Sequence, residues 1–395
     1  MNIVIDIRPL MEGNLSGVEV YLLNLLPELF ACDQENSYIL FANARRNVSF
    51  SLPDFQRKNV SVIQTKIPNK LLNVGLCFFR YPKLDKFIIK HLKKHPEKAP
   101  STMKNNKIDI FFFPDLRPSK ISRKVKKITV IHDLSFQHFK KFFSRKTRLW
   151  YKLMNPKREI KTSNHLIAVS SFTKSDLMET YRIPEEKITV IHEGISDDFG
   201  ENLNEKKIMH VRRRYNLPQR YFLFLSTIEP RKNIQNMVKG FIVYKRLNPK
   251  DEAKLVIAGS KNSKIFSKVM HDSHPDIMFT GFIDENDKAA VIQQADCFLY
   301  PSLFEGFGLP LLEAMKCGTP IITSNTSSMP EVVGNAALLV NPNFFDAISD
   351  ALEKIQEPDV RAVLKKNMEI QAAKFNWKNC ATATLEIFKT IGKTI

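Results

Sequence analysis

The chain has 395 residues, 43% hydrophobic and 26% charged, a globular composition with enough length for two domains that each bury a core. No apolar run approaches the ~18 residues that span a bilayer, Asp6 and Arg8 break the first ten residues so that they do not read as a signal peptide, and five scattered cysteines without Cys-x-x-Cys spacing argue against disulfides or zinc and for a reducing compartment. The net charge of +19 is lopsided: residues 1–197 hold 34 Lys and Arg against 19 Asp and Glu, and within them residues 80–161 hold 24 against 6.

Residues 2–7 read as the first parallel strand of a Rossmann-like half. After a polar, turn-rich stretch, Gly17 opens a helix with apolar residues at helical spacing. A single glycine there is more often a tight turn than a phosphate site. Residues 38–42 and 60–63 read as the next strands. Residues 70–107, basic, aromatic and weakly periodic, suggest helices without legible boundaries. Residues 108–113 form a buried strand ending at Pro114, and residues 127–131 another. The latter delivers His132 and Asp133 to its C-terminal end, the edge where open α/β sheets hold ligands. A strand follows at 166–170, with Ser170 capping a helix to Tyr181, and residues 188–195 close the first domain, with His192 and Glu193 read as structural.

Residues 196–219 are polar and read as a linker with a helix leading out of it. The strand 221–226 runs into Glu229-Pro230-Arg231-Lys232-Asn233, two adjacent cations between a strand end and a helix. Strands at 255–259 and 277–283 and an amphipathic helix at 284–296 follow. Residues 295–300 are a buried strand, Pro301 to Gly308 a loop, and residues 309–315 a helix with Pro310 in its first turn and a stop at Gly318. This strand, glycine-bearing loop and helix start aim backbone N–H groups and a positive dipole end at one spot. Glu305 lies in the loop and Glu313 eight positions later, so both can face a ligand held there. Two glutamates alone are usually solvated charges, but Gly306 and Gly308 around Phe307 imply close approach of backbone to something. Strands at 320–324 and 337–342 and a helix from residue 375 to 389 complete the chain.

Residues 300–342 resemble the Glu-x7-Glu signature of family-4 retaining glycosyltransferases. Four further stretches resemble that family in order: Gly17, His132-Asp133 within Thr-Val-Ile-His-Asp-Leu, the Ser170 helix, and Arg231-Lys232. The resemblance implies an α/β fold of two facing Rossmann-like domains, the GT-B arrangement, with an interdomain cleft. It implies an acceptor-side domain at 1–197, a linker at 198–219, a nucleotide-sugar domain at 220–375 and a C-terminal helix at 376–395 packed back on the first domain. His132, Glu305, Arg231 and Lys232 become the catalytic candidates. Gly17, Gly281, Phe282, Ile283, Gly306, Phe307, Gly308, Leu309 and Glu313 become donor-binding candidates, and Asp133 an acceptor-side candidate that either orients His132 or serves the acceptor. In the implied scheme a neutral His132 contacts the donor sugar, and Arg231 and Lys232 hold the diphosphate. Arg231 there replaces an arginine whose usual position carries Thr227. Glu305 holds sugar hydroxyls, Glu313 the ribose, and residues 281–283 the base.

The implied reaction is transfer of a hexose from a nucleotide-sugar to a glycan or lipid-linked acceptor in surface-polysaccharide assembly, with GDP-mannose ahead of UDP- and dTDP-sugars. None of the 19 aspartates forms Asp-x-Asp, so metal independence and no cofactor are expected. The basic segment 80–161, with its interleaved aromatics, suggests an anionic membrane surface or anionic acceptor, and hence a cytoplasmic protein with a peripheral place at the membrane. An epimerase or phosphorylase on the same fold is the near alternative. A nucleic-acid binder would use the charge but leave Glu305 and Glu313 without a role, so no nucleic acid is expected.

Overall fold

The computed structural model describes residues 1–11, 17–44, 57–200, 203–259 and 274–393. They form two compact units, one of Met1–Gly194 with the chain from Trp377 onward, the other of Ile195–Asn376.

The first unit holds seven parallel strands: β1 (Asn2–Asp6), β2 (Ser37–Asn43), β3 (Val60–Thr65), β4 (Ile110–Phe113), β5 (Lys126–Ile131), β6 (His165–Ala168) and β7 (Ile188–Val190), in the order β3-β2-β1-β4-β5-β6-β7. β1, β2 and β4 are buried at every position, which is why their sequences run apolar without alternation. The helix Trp377–Lys393 belongs to this unit and packs along the helix Gly17–Cys32. Its Trp377 ring meets Tyr21 at 5.8 Å and its Phe388 meets Phe112 at 5.3 Å.

Within 70–107 the chain makes a short helix Asn69–Val74, a π-helical turn Gly75–Phe79 and a helix Leu84–Lys94. Leu84, Ile88 and Leu92 are its buried stripe, spaced four apart and hidden in the sequence among lysines and histidine.

The second unit holds β8 (Tyr221–Leu225), β9 (Lys254–Ala258), β10 (Ile277–Gly281), β11 (Cys297–Tyr300), β12 (Ile321–Ser324) and β13 (Leu338–Val340), all parallel, in the order β10-β9-β8-β11-β12-β13. The polar stretch read as a linker carries the helix Glu205–Arg214, which the second unit holds tightly. Buried Asp287 accepts from Arg214 at 2.7 Å and from the Tyr215 hydroxyl at 3.0 Å, and pairs with Lys207 at 3.0 Å. In both sheets the strand order reverses beside the first strand, between β1 and β4 and between β8 and β11. Loops leaving the C-terminal ends of those strands diverge and open a crevice, the usual ligand position in such sheets. Among the described residues no helix is long and apolar enough to cross a membrane.

Candidate active site

At the β8/β11 reversal the loops after the two strands lie side by side, joined where the Leu303 amide donates to the Arg231 carbonyl at 2.8 Å. Residues Pro230–Lys232 form a single 3-10 turn, closed by Asn233 at φ 60. The Asn233 side-chain amide donates to the carbonyls of Pro301 at 3.1 Å and Pro342 at 2.7 Å, which fixes the turn. Lys232 is thereby buried, and its Nζ donates to Glu305 Oε1 at 2.7 Å and to the Tyr300 hydroxyl. Arg231 Nη1 donates to Glu305 Oε2 at 2.6 Å and to the Phe304 carbonyl at 3.1 Å, and its Nε to Glu229 at 2.9 Å.

Burial alone would raise the Glu305 pKa, but the charges of Arg231 and Lys232 and their hydrogen bonds more than offset it and hold the carboxyl at about 2. Burial lowers the Lys232 pKa, against the pull of Glu305 and together with the repulsion of Arg231. Two cations held on one ionised carboxylate form a preorganised clamp of the kind that grips phosphate oxygens.

The loop continues into the helix Leu309–Lys316, whose start is set by Gly308 at φ 110 and Pro310 in the first turn. Ser328 Oγ donates to the carbonyls of Glu305 at 3.0 Å and Phe307 at 2.9 Å, and the Glu305 amide donates to Ser327 Oγ at 3.0 Å. The loop is therefore held in place at both Glu305 and Phe307, and in the first turn of the helix the Leu311 amide donates to the Gly308 carbonyl at 2.9 Å. Phe307 is buried edge-on against Phe375, 5.7 Å between centroids. Glu313 is buried too, with Oε1 accepting from Lys288 Nζ at 2.8 Å and Oε2 buried without a partner. Burial raises the Glu313 pKa, against the opposing pull of Lys288. A buried carboxylate oxygen left unpaired costs about 1–3 kcal/mol or more, and a ligand hydroxyl would remove that cost. Gly281 ends β10 at φ 78 with open space where a Cβ would stand, followed by Phe282, 63% exposed, and buried Ile283.

In the first unit His132 follows β5. Its Nε2 lies 2.8 Å from the Pro114 carbonyl and its Nδ1 3.0 Å from Glu193 Oε1, with the Tyr21 ring edge-on at 5.1 Å. Both ring nitrogens face oxygen acceptors, an arrangement that favours the protonated ring over the neutral one expected from the sequence. Burial lowers the His132 pKa, but the Glu193 hydrogen bond and charge, with Pro114 and Asp115, carry it above the usual value. Asp133 does not orient His132: its Oδ1 accepts from the Ser135 amide at 2.9 Å and hydroxyl at 2.7 Å, starting the short helix Ser135–His138. Gly17 is the first residue of its helix, with nothing within 4 Å of a Cβ built there.

Arg231, Lys232 and Glu305 thus meet in one cluster, and residues 306–309 and Glu313 stand on the loop and helix that continue from it. His132, Asp133 and Gly17 belong to the other unit. Thr227 is exposed, while Arg231 reaches the carboxylate. Three participants escaped the sequence reading: Tyr300, Lys288 and above all Glu193, read as structural. The signal for Glu193 was positional, since Ile131, Ala168 and Val190 lie in register across β5, β6 and β7. His132 and Glu193 follow closely on the same sheet edge.

Two family models match the chain. One, described as Glycosyltransferase Family 4, covers residues 15–199, and one, described as Glycosyl transferases group 1, covers residues 205–374. O-antigen chain mannosyltransferase B of Escherichia coli is 28% identical over 99% of this chain and all of its own length. O-antigen chain mannosyltransferase RfbU of Salmonella typhimurium is 27% identical over 58% of this chain and 61% of its own. Among solved structures, sucrose-phosphate synthase from Thermosynechococcus elongatus superposes with a TM-score of 0.71 over the full length of both chains at 18% identity, a likeness of fold.

Proposed function

The chain belongs to the family-4 glycosyltransferases and has their GT-B fold of two parallel-sheet α/β domains, and on that premise we propose that it moves mannose from GDP-mannose, with retention, onto a glycan or lipid-linked glycan of a surface polysaccharide. The observation that carries the catalytic part is the clamp of Arg231 and Lys232 on Glu305 at the β8/β11 reversal, beside the helix start at Gly308. Departure of a nucleoside diphosphate builds negative charge on the phosphates. Arg231, Lys232 and the Gly308 and Leu309 amides are the groups that stabilise it. As the phosphates take the two cations, the Glu305 carboxylate becomes free to accept from hydroxyls of the transferred sugar. Glu313 Oε2 accepts from the ribose, and the exposed Phe282 ring with the Gly281 backbone receives the base.

These residues compensate the leaving-group charge themselves, so the proposed reaction has no metal. The choice of mannose rests on the names of the relatives, two of them O-antigen chain mannosyltransferases.

The lipid-linked acceptor is supported by a patch in the first unit. Leu71, Val74, Phe78, Phe79 and Tyr81 are all exposed, around the turn Gly75–Phe79, where the chain enters the basic segment 80–161. Monomer surfaces rarely leave so many large apolar side chains together without a partner.

A thermal-shift panel of GDP-, UDP- and dTDP-sugars, followed by radiolabelled transfer in EDTA, tests the reading. Stabilisation by GDP-mannose and EDTA-resistant transfer are expected. Stabilisation by none of the nucleotides overturns the donor site, and stabilisation by UDP-glucose alone overturns the mannose assignment.

A further inference from the structure

A second site lies in the first unit at the opposite edge of the sheet from His132. Residues 106–108 lead into the start of β4 and residues 122–125 into the start of β5, and with the helix Leu84–Lys94 they line an open groove of about 550 Å³. Six residues of strand at ~3.3 Å each put about 20 Å between this edge and His132.

The lining is unusual in charge. Lys86, Lys90 and Lys93 come from one face of the helix, spaced four and three residues apart, and Lys107 and Lys124 face them from the strand leads. Lys107 pairs with Asp109 at 3.4 Å, but the other four have no acidic partner among the described residues. Asp85 is the only carboxylate in the lining, and its Oδ1 is occupied by the Ser122 amide at 2.8 Å. The Ser122 hydroxyl oxygen is buried without a hydrogen-bond partner. Ile89 and Val125 give the groove an apolar wall.

All five lysines are exposed and line one groove, so their positive fields add over it and favour an anion there. Ammonium groups act as point charges suited to phosphate oxygens. We propose that this groove is an accessory binding site for a phosphate-bearing ligand, separate from the donor site and independent of the donor's identity. The shared chemistry is a phosphate or diphosphate group, supplied either by a soluble phosphorylated compound or by a lipid headgroup.

The test compares the full chain with the double variant Lys90→Glu, Lys124→Glu, two exposed positions, after circular dichroism and melting confirm that both are folded. Pyrophosphate is titrated calorimetrically into each, and each is floated with vesicles of phosphatidylcholine alone or with phosphatidylglycerol. The expected result is two classes of pyrophosphate site in the natural chain and one in the variant, with the lost class weakened at least tenfold. Loss of that class together with binding to phosphatidylglycerol vesicles assigns the lipid source, and loss of that class alone assigns a soluble one. A variant whose pyrophosphate isotherm superposes on that of the natural chain overturns the proposal, whatever its vesicle binding.

Discussion

In the proposed reaction Glu305 has two tasks. It pairs with Arg231 and Lys232, and the proposal has it hold sugar hydroxyls once phosphate takes those cations. Glu305→Ala leaves buried Lys232 uncompensated, so we expect a loss of about 3 kcal/mol of stability as well as of transfer. Lys232→Ala should lower transfer by ~10²–10³-fold, the scale for one donor to developing charge. Near-normal radiolabelled transfer by both variants would remove this cluster from catalysis. The Glu305 pKa also has a sign that can be measured. It lies at about 2 in the folded chain and about 4.3 in the unfolded one. Its contribution to stability is therefore complete above about pH 4.3 and lost as pH falls toward about 2. The gap in urea midpoint between the natural chain and Glu305→Gln should be constant near neutrality and close across that acid window. His132 has the opposite sign. Its raised pKa means that the Glu193 pairing stabilises fully below the ordinary histidine value and fades as pH rises through the folded one. Glu193→Gln should lower the His132 pKa seen by NMR, and an unchanged titration would show that Glu193 does not hold the charge. The sequence showed His132 as a strand-end histidine but not its partner. The pairing depends on the register of β5, β6 and β7, a property of three strands rather than of one residue.

At the scale of elements, the helix Leu309–Lys316 decides where the amides proposed to meet phosphate point, and its start depends on Gly308. At φ 110 and ψ 54 that residue lies where an L side chain is strained, and a Cβ would also sit 3.2 Å from Leu311 Cδ1. Gly308→Ala should cost about 1–2 kcal/mol, lower the melting temperature and weaken donor binding together. A melting curve and nucleotide affinity equal to those of the natural chain would show that the turn does not need glycine. This element was legible because its signals agree: a continuous apolar strand, glycines, proline at the second helical position and a stop at Gly318. The region 70–107 was not, because the three buried apolar residues of the helix Leu84–Lys94 are diluted by solvent-facing lysines. The neighbouring turn Gly75–Phe79 exposes two phenylalanines and so violates the rule used to find faces. Local pattern reading fails where apolar residues are outside.

For the whole molecule, the strand order explains why residues far apart in sequence form one cluster. Arg231 and Glu305 are 74 positions apart yet share the edge at which β8 and β11 part. The sequence showed which residues end strands, but not that β11 pairs with β8, since adjacency in a sheet is set by packing both faces of every strand. Charge is the other large-scale property, concentrated in the first half of the chain. There Phe78, Phe79 and Tyr81 are exposed. An apolar tip in a basic field is what an anionic bilayer would bind, and a lipid-linked acceptor lies in such a bilayer. Vesicles containing phosphatidylglycerol should therefore co-float with the chain, while phosphatidylcholine vesicles should not. Raising salt from 0.1 M to 1 M shortens the screening length from about 10 Å to about 3 Å, so binding should weaken steeply. Phe78→Ser with Phe79→Ser should abolish flotation at any salt while leaving the melting temperature nearly unchanged, since both rings are solvent-facing. Retention of flotation by that variant would assign the attraction to charge alone and remove the apolar tip from membrane binding.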